Sequence, residues 1–464
     1  LMVGVTTGAA FSGQSRVAAT AKSPATGLVG DSQAGGFWPS ELKAAGFDGL
    51  VVHGVSARPV YLWISDGHAE LKDAAGLWGL PTGDVEDAIR TELGDARIQV
   101  LSCGPAAEKG VVFGALINSA NRANGRTGMG TVMAAKKLKA VAVRGHRKPE
   151  VASPEGVQAL ARWGVENLDR VAGLSKLGTA EGLLILNEEG GLPTRNWSSG
   201  VFEGAQAISG ETLADTVLKR RDTCSGCAIA CKRVVEIPDG PFQTEPRYGG
   251  PEYETLAALG SYCGVSDLAA VCRANALCNM HGMDTISCGA TIAWAMDCFE
   301  RGLLTREKTD GIDLRFGSAE AMVAMVEKIA RRDGFGRVLG EGSARAAERL
   351  NVGRDLVVAT KNQEFPAHMP QHKPSLALVY SVNPFGADHQ SHEHDPFYSP
   401  AFADRAAQLG LLDPQPVASM NTEKLRYVLY TQYFYSATDA VCVCQFVFGP
   451  SFQLYSPAQL VAAI

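Results

Sequence analysis

The sequence predicts an α+β protein, with a β-rich N-terminal region followed by mainly α-helical regions to the end of the chain. Three observations carry this. Residues 1–150 hold short β-branched and aromatic runs separated by glycine-rich turns. Beyond Pro149 the apolar residues recur at spacings of three and four, the period of an amphipathic helix. The chain has 464 residues, 46% of them hydrophobic, enough to fill more than one core. The expected organisation is a β-rich domain over 1–150, a helical domain over 151–358 and a second helical domain over 359–464.

In order, the strand-like runs are Gly49–Val52, Val60–Ile64, Ile98–Leu101 and Ala140–Val143. The segment Ala34–Glu41 passes through Gly35 and Gly36 to a helix start marked by Pro39. Asn121–Gly130 alternates Arg122 and Arg126 with glycines ahead of an apolar helix over 129–137. Helical spacing then covers 154–172, 210–221, 253–262, 266–281, 289–303, 318–332 and 336–350. Residues 360–400 are rich in Pro, His and Asn and show no period, and so long a loop is usually functional or disordered. Helical spacing returns at about residue 402. The chain opens at Leu1-Met2-Val3 inside a strand-like run and stops at Ile464 inside a helix-like one. That reads as a fragment lacking both ends, with any leader peptide outside it.

Composition narrows the function. A net charge of −6 argues against nucleic acid or an anionic membrane as the main partner. No stretch approaches the ~18 uncharged apolar residues of a membrane span. Glycine is frequent, 51 residues, as expected where backbone must approach a ligand closely. The 11 cysteines do not suit a secreted disulfide framework in so large a chain. Cys103, Cys263, Cys272, Cys278, Cys288 and Cys298 lie in apolar surroundings and read as small core residues, which suits a reducing, cytoplasmic setting.

The others carry chemistry. Cys224-Ser-Gly-Cys227-Ala-Ile-Ala-Cys231 brings three thiols to spacings of three and four, with Gly226 and two alanines letting the backbone wrap closely. An iron–sulfur cluster needs a fourth thiolate from far away in sequence, and Cys444 or Cys442, near Asp439, is the other cysteine-dense spot. Zinc is the alternative, although its four-thiolate sites usually come as two paired CxxC units, and three reduced core cysteines are the plainest reading. The two glycine–arginine segments can each cradle a phosphate, through backbone N–H groups at a helix start or forked arginine hydrogen bonds. Neither is a Walker loop or a GxGxxG fingerprint, and each alone also fits an ordinary turn.

Taken together, these residues resemble the aldehyde:ferredoxin oxidoreductase family. Arg16, Lys22–Gly27, Ala34-Gly35-Gly36, Arg122–Arg126, the cysteine triplet, Gly250–Thr255, Gly282–Ser287 and Asp439-x4-Cys444 follow family order and spacing across essentially the whole chain. Members hold one tungsten between two pterins beside a 4Fe–4S cluster. The resemblance assigns Cys224, Cys227, Cys231 and Cys444 to the cluster. Arg16, Gly35 and Arg122 match contacts to the pterin phosphates or the cluster-side pterin. Asp284 and Asp439 match acidic pterin contacts, with Val443 in the second of those segments. Ala123 matches a carbonyl on the magnesium that bridges the phosphates, and Glu254 and His389 match the side chains nearest the metal.

Departures are visible. Gln33 stands where an asparagine commonly meets that magnesium, and Asn279 where the family has the first aspartate of the motif ending at Asp284. Cys442 occupies a usual glycine, and Ser391 replaces a lysine. The Glu-x-x-His pair that bridges some family dimers through iron reads Arg273-Ala-Asn-Ala276, so a homo- or hetero-oligomer would form without that iron. Tungsten or molybdenum fits equally, since neither takes a protein ligand in the family.

The implied activity is oxidation of an aldehyde to its acid, or the reverse, with electrons leaving to ferredoxin or an iron–sulfur partner subunit. Glu254 follows Gly250-Pro251 at an expected helix start, where the dipole favours its ionised form and desolvation opposes it. Those opposing pulls leave a base usable near neutral pH, and His389 would hydrogen-bond the substrate carbonyl. Without the resemblance, Glu254 reads as a solvated first-turn carboxylate and Asp388–Asp395 as an exposed polar loop. Two rivals share these motifs: a benzoyl-CoA-reducing tungsten subunit, and an iron–sulfur scaffold that has lost its pterin.

Overall fold

A computed structural model describes residues 1–463 and has the expected α+β architecture. Strands β1 (Met2–Val3), β2 (Val17–Lys22) and β3 (Val29–Ala34) form a three-stranded antiparallel sheet. A six-stranded sheet runs β5-β4-β9-β6-β7-β8, made of β4 (Val60–Ser65), β5 (His68–Asp73), β6 (Gln99–Cys103), β7 (Leu116–Asn118), β8 (Arg122–Asn124) and β9 (Leu138–Arg144). Its centre, β9, pairs parallel with β4 and antiparallel with β6. The period of two decides its faces. Val141 and Val143 pack with Trp38, Leu42 and Met133, whereas Ala140 and Ala142 pack with Val85 and Ile89.

The helices Tyr253–Leu259, Leu268–His281, Thr285–Glu300 and Ala319–Arg331 share one large apolar core. Thr285–Glu300 is buried on every side from Ile286 to Cys298, and a helix apolar all round belongs inside a core. Asp267, Asp284 and Ser318 start three of these helices, each accepting a backbone N–H. Cys103, Cys263, Cys272, Cys278, Cys288 and Cys298 are all buried. Among the described residues no single helix is long and apolar enough to cross a membrane.

Several expectations need correction. Gly49–Val52 is not a strand. It runs beside the N-terminus through Leu50 N–H to Leu1 O and Val3 N–H to Asp48 O, and leaves Val51 77% exposed. The helix expected over 210–221 stops at Thr216, and Leu218–Asp222 becomes strand β10, paired with β11 (Lys232–Val235). Cross-strand pairing overrides a helical pattern there, because the cysteine loop needs a two-stranded stem. The helix over 336–350 breaks at Gly340–Gly342 into Gly336–Leu339 and Ser343–Leu350. The aperiodic segment 360–400 contains a helix, Ser375–Val382.

The helix Thr422–Val441 is tied to that segment by a fully buried ion pair, Lys424 Nζ to Asp395 Oδ1 at 2.9 Å, with Asp395 also accepting from Ser375. Lys424→Met would leave a buried carboxylate without its counter-ion. It is expected to destabilise the protein by about 3–5 kcal/mol, read as a lowered urea midpoint. An unchanged midpoint would mean that Asp395 is already neutral in the fold.

Candidate active site

The two sheets, the core helices and the 360–400 segment enclose a cavity of about 730 Å³. One end is a nest of thiols. The β10–β11 stem closes at Asp222↔Lys232, so Cys224, Cys227 and Cys231 form its tip. Gly226 at φ +68° allows the turn, and Ser225 N–H to Gly36 O (3.1 Å) and Gln14 Nε2 to Ser225 O (2.9 Å) dock it. Cys444 joins them from the far end of the chain, its N–H donating to Gly13 O at 2.8 Å, and all four line the cavity. Cys442 does not line it: it caps the helix in the left-handed region (φ +58°), with its Sγ 3.5 Å from Arg16 O. That conformation suits the glycine usual at this position in the resembled family. Burial pushes the Cys227 thiol up to about 11, and burial with nearby Glu252 pushes Cys231 up further. A cation bound between the sulfurs would reverse that balance.

Next to the thiols lies a polar wall. Arg16 Nε donates to Gln33 Oε1 (3.3 Å), and Gln33 Nε2 donates to Asp439 Oδ1 (2.7 Å), so three predicted residues form one chain. Burial lifts the Asp439 carboxyl to about 6 against the hydrogen bond from Gln33. Gly35 is required by contact, since a Cβ there would stand 2.6 Å from Cys224 Sγ. Arg122 anchors one terminal nitrogen on Thr223 O at 2.8 Å, yet its Nε is buried with no hydrogen-bond partner. Ala123 lies beside it in β8. Arg126 reaches Ala387 O, Glu364 O and, at 3.3 Å, Asp284 Oδ2. Asp284 is thereby held at the cavity wall while capping its helix. Asn279 donates to Tyr248 O at 2.9 Å, a bond that an ionised aspartate could not make. Val443 stands apart from the predicted set: its side chain is buried in the apolar cluster of Phe11, Val447 and Phe448, outside the cavity lining.

The third group gathers on Glu254, in the first turn of helix Tyr253–Leu259. Its Oε2 accepts from Ala367 N–H at 2.8 Å, and Tyr253 Oη donates to Ala367 O at 2.6 Å, strapping the 365–368 segment to the helix. Its Oε1 lies 3.2 Å from His368 Nε2 and 3.3 Å from His389 Nε2, yet makes no hydrogen bond in this geometry. His389 Nδ1 is also buried and unpartnered. The structure thus brings together Glu254 and His389, as the sequence predicted, and adds His368 and Lys373. Neither was singled out beforehand; the signal available was the Pro- and His-rich composition of 360–400.

Comparisons with known proteins bear on both ends of the chain. Residues 1–145 match the family described as aldehyde ferredoxin oxidoreductase, N-terminal domain, and residues 158–464 match its domains 2 and 3. The tungsten-containing aldehyde ferredoxin oxidoreductase of Pyrococcus abyssi is 40% identical over 432 residues, spanning 92% of this chain and 69% of that protein. Its namesake in Thermococcus kodakarensis is 38% identical over 430 residues, with the same coverage. The WOR-like subunit of an aliphatic sulfonate oxidoreductase from Pyrococcus furiosus is 28% identical over 375 residues, 76% of this chain and 59% of that one. The fold of the whole chain is similar to one in the BamBC active-site complex of benzoyl coenzyme A reductase with 1,5-dienoyl-CoA. The TM-score there is 0.81 at 23% identity, covering 76% of that chain.

Proposed function

The chain belongs to the aldehyde ferredoxin oxidoreductase family, and from that premise we propose that it oxidises aldehydes to carboxylic acids, or runs the reverse reaction, on a tungsten–pterin centre. The observation that carries the reading is one cavity shared by four thiols, the arginine–glycine wall and the Glu254–histidine cluster. The residues fit the group. Arg122 Nε is a buried donor with no partner, Gly35 leaves room that any side chain would fill, and four cysteines suit a cluster's iron. Cys224, Cys227, Cys231 and Cys444 would hold a 4Fe–4S cluster. Arg16, Arg122 and Asp439 would meet the pterins, with the Ala123 carbonyl and Gln33 beside a magnesium between the phosphates. Bound there, the tungsten or molybdenum bis-pterin supplies a two-electron redox centre, and the cluster passes electrons singly to ferredoxin or an iron–sulfur partner subunit.

The protein's own residues handle the proton and the substrate. Oxidation of RCHO with water to RCOOH releases two electrons and two protons. Glu254 Oε1, unpartnered and facing the cavity, takes one proton from water or from the aldehyde hydrate. His389 Nε2, beside it, orients the substrate oxygen. Closing the site from bulk water strengthens both contacts.

Elemental analysis of anaerobically purified holoenzyme is the direct test. About one tungsten or molybdenum per four irons, with turnover on a panel of aldehydes, is the expected result. Iron without either metal would leave an electron-transfer scaffold, and zinc alone would end the proposal. Turnover confined to aromatic CoA esters would move the chain to ring reduction.

A further inference from the structure

The imidazole of His368 stands between a carboxylate and an amine. Its Nε2 is 3.2 Å from Glu254 Oε1, and its Nδ1 is 3.1 Å from Lys373 Nζ. Lys373 Nζ also lies 3.3 Å from Nδ1 of His394, whose Nε2 meets His389 O at 2.9 Å. An ammonium has only donors, so each Nδ1 accepts from Lys373 and each ring carries its proton on Nε2. His368 and Lys373 are 7% and 5% exposed, and both line the cavity. Burial, and then Lys373, hold the His368 ring neutral, and burial lowers Lys373 to about 8. The histidines His372, His389 and His392 also disfavour a charge on His368. Asp395, Glu254, Glu189 and Glu393 act on Lys373 in the opposite sense.

We propose that His368 and Lys373 form a proton relay for Glu254, the ring moving a proton between Glu254 Oε1 and Lys373 Nζ through its two nitrogens. The inference rests on Glu254 being the base. After a turnover Glu254 is a carboxylic acid. Its proton passes to Nε2 of His368 as the Nδ1 proton passes to a neutral Lys373 amine. The result is a Glu254 carboxylate, a neutral Nε2–H ring and a Lys373 ammonium, with one proton moved and none lost. Release from Lys373 to cavity water, and return of the ring to its Nδ1–H tautomer, complete the cycle. The same path run backwards supplies a proton for acid reduction. Poor alignment of Glu254 with the ring before substrate binds is ordinary for such contacts.

The test uses holoenzyme carrying Lys373→Met, Lys373→Arg or His368→Gln. Arginine keeps a donor for His368 Nδ1 but does not release its proton at working pH. In all three variants the first turnover, followed by anaerobic stopped flow, is expected to match wild type, while steady-state kcat falls by roughly 10²-fold. Small amines or imidazole in the buffer restore kcat in the lysine variants and leave wild type unchanged. As a readout apart from turnover, ¹⁵N signals of His368, identified by their loss in His368→Gln, report one Nε2–H tautomer in wild type and a mixture in Lys373→Met. An unchanged kcat in Lys373→Arg, or a first turnover slowed as much as kcat with no rescue by amines, overturns the relay. Failure of the underlying reading looks different: Glu254→Gln would then keep its first turnover, whatever the lysine variants do.

Discussion

Glu254→Gln is expected to lower kcat by roughly 10²–10⁴-fold, the usual contribution of a positioned general base, with tungsten and iron contents at wild-type level. Glutamine is isosteric, and its carbonyl oxygen can still accept the Ala367 N–H bond that now ends on Oε2 at 2.8 Å. The strap between residues 365–368 and the helix therefore survives, as does the packing of Tyr253. The change removes a basic oxygen at Oε1, flanked by two imidazole Nε2 atoms at 3.2 and 3.3 Å. Because Glu254 acts on a proton that moves during the reaction, KM should change far less than kcat. Glu252, two residues earlier, is the internal control. Its carboxylate is engaged by Lys232 (3.0 Å) and Thr179 (2.6 Å), so Glu252→Gln disturbs a structural network beside Cys231 and leaves the base in place. Glu254→Gln enzyme with full metal content and near-normal kcat would show that another group, or water alone, takes the proton.

The fold and site differ in how far they could be read from sequence, and the difference is physical. The central strands β4, β6 and β9 announce themselves because buried β-branched residues dominate them. Strands β2 and β3, Val-Ala-Ala-Thr-Ala-Lys and Val-Gly-Asp-Ser-Gln-Ala, do not, since their order comes from pairing with each other and not from apolar alternation. The cysteine triplet is legible because its ligands are local. Choosing between Cys442 and Cys444 needed the helix end, where a left-handed residue turns one sulfur toward Arg16 O. Val443 was expected at the cofactor because it sits inside a motif, but alternation along the turn points its side chain into the apolar cluster. His368 lay beyond reach for a different reason: it meets Glu254 across 114 residues of sequence, and nothing local marks the pairing.

Cys444→Ser is expected to lose the cluster and with it all ferredoxin-linked turnover, whereas Cys442→Ser keeps both. Cys444 arrives from beyond the helix Thr422–Val441 and is pinned by its N–H bond to Gly13 O and by Arg16 Nη1 at 3.9 Å from its sulfur. It is thus the long-range closure of a nest whose other three ligands share one hairpin tip. Serine cannot replace a thiolate on iron at neutral pH without large loss, so iron per chain should fall and the low-temperature EPR signal of the reduced protein should vanish or change type. The loss should also lower stability. Without the cluster, three half-buried cysteines, with Cys227 and Cys231 raised chiefly by burial, remain around a hole that only Ile229 and Phe446 could begin to fill. Cys442 makes no such closure, and replacing it with glycine suits its φ of +58° better than cysteine does. Full iron content in Cys444→Ser together with loss in Cys442→Ser would reverse the assignment and require the helix end to unwind by a turn when the cluster is inserted. Full iron in both would mean that the fourth ligand is not a cysteine of this segment.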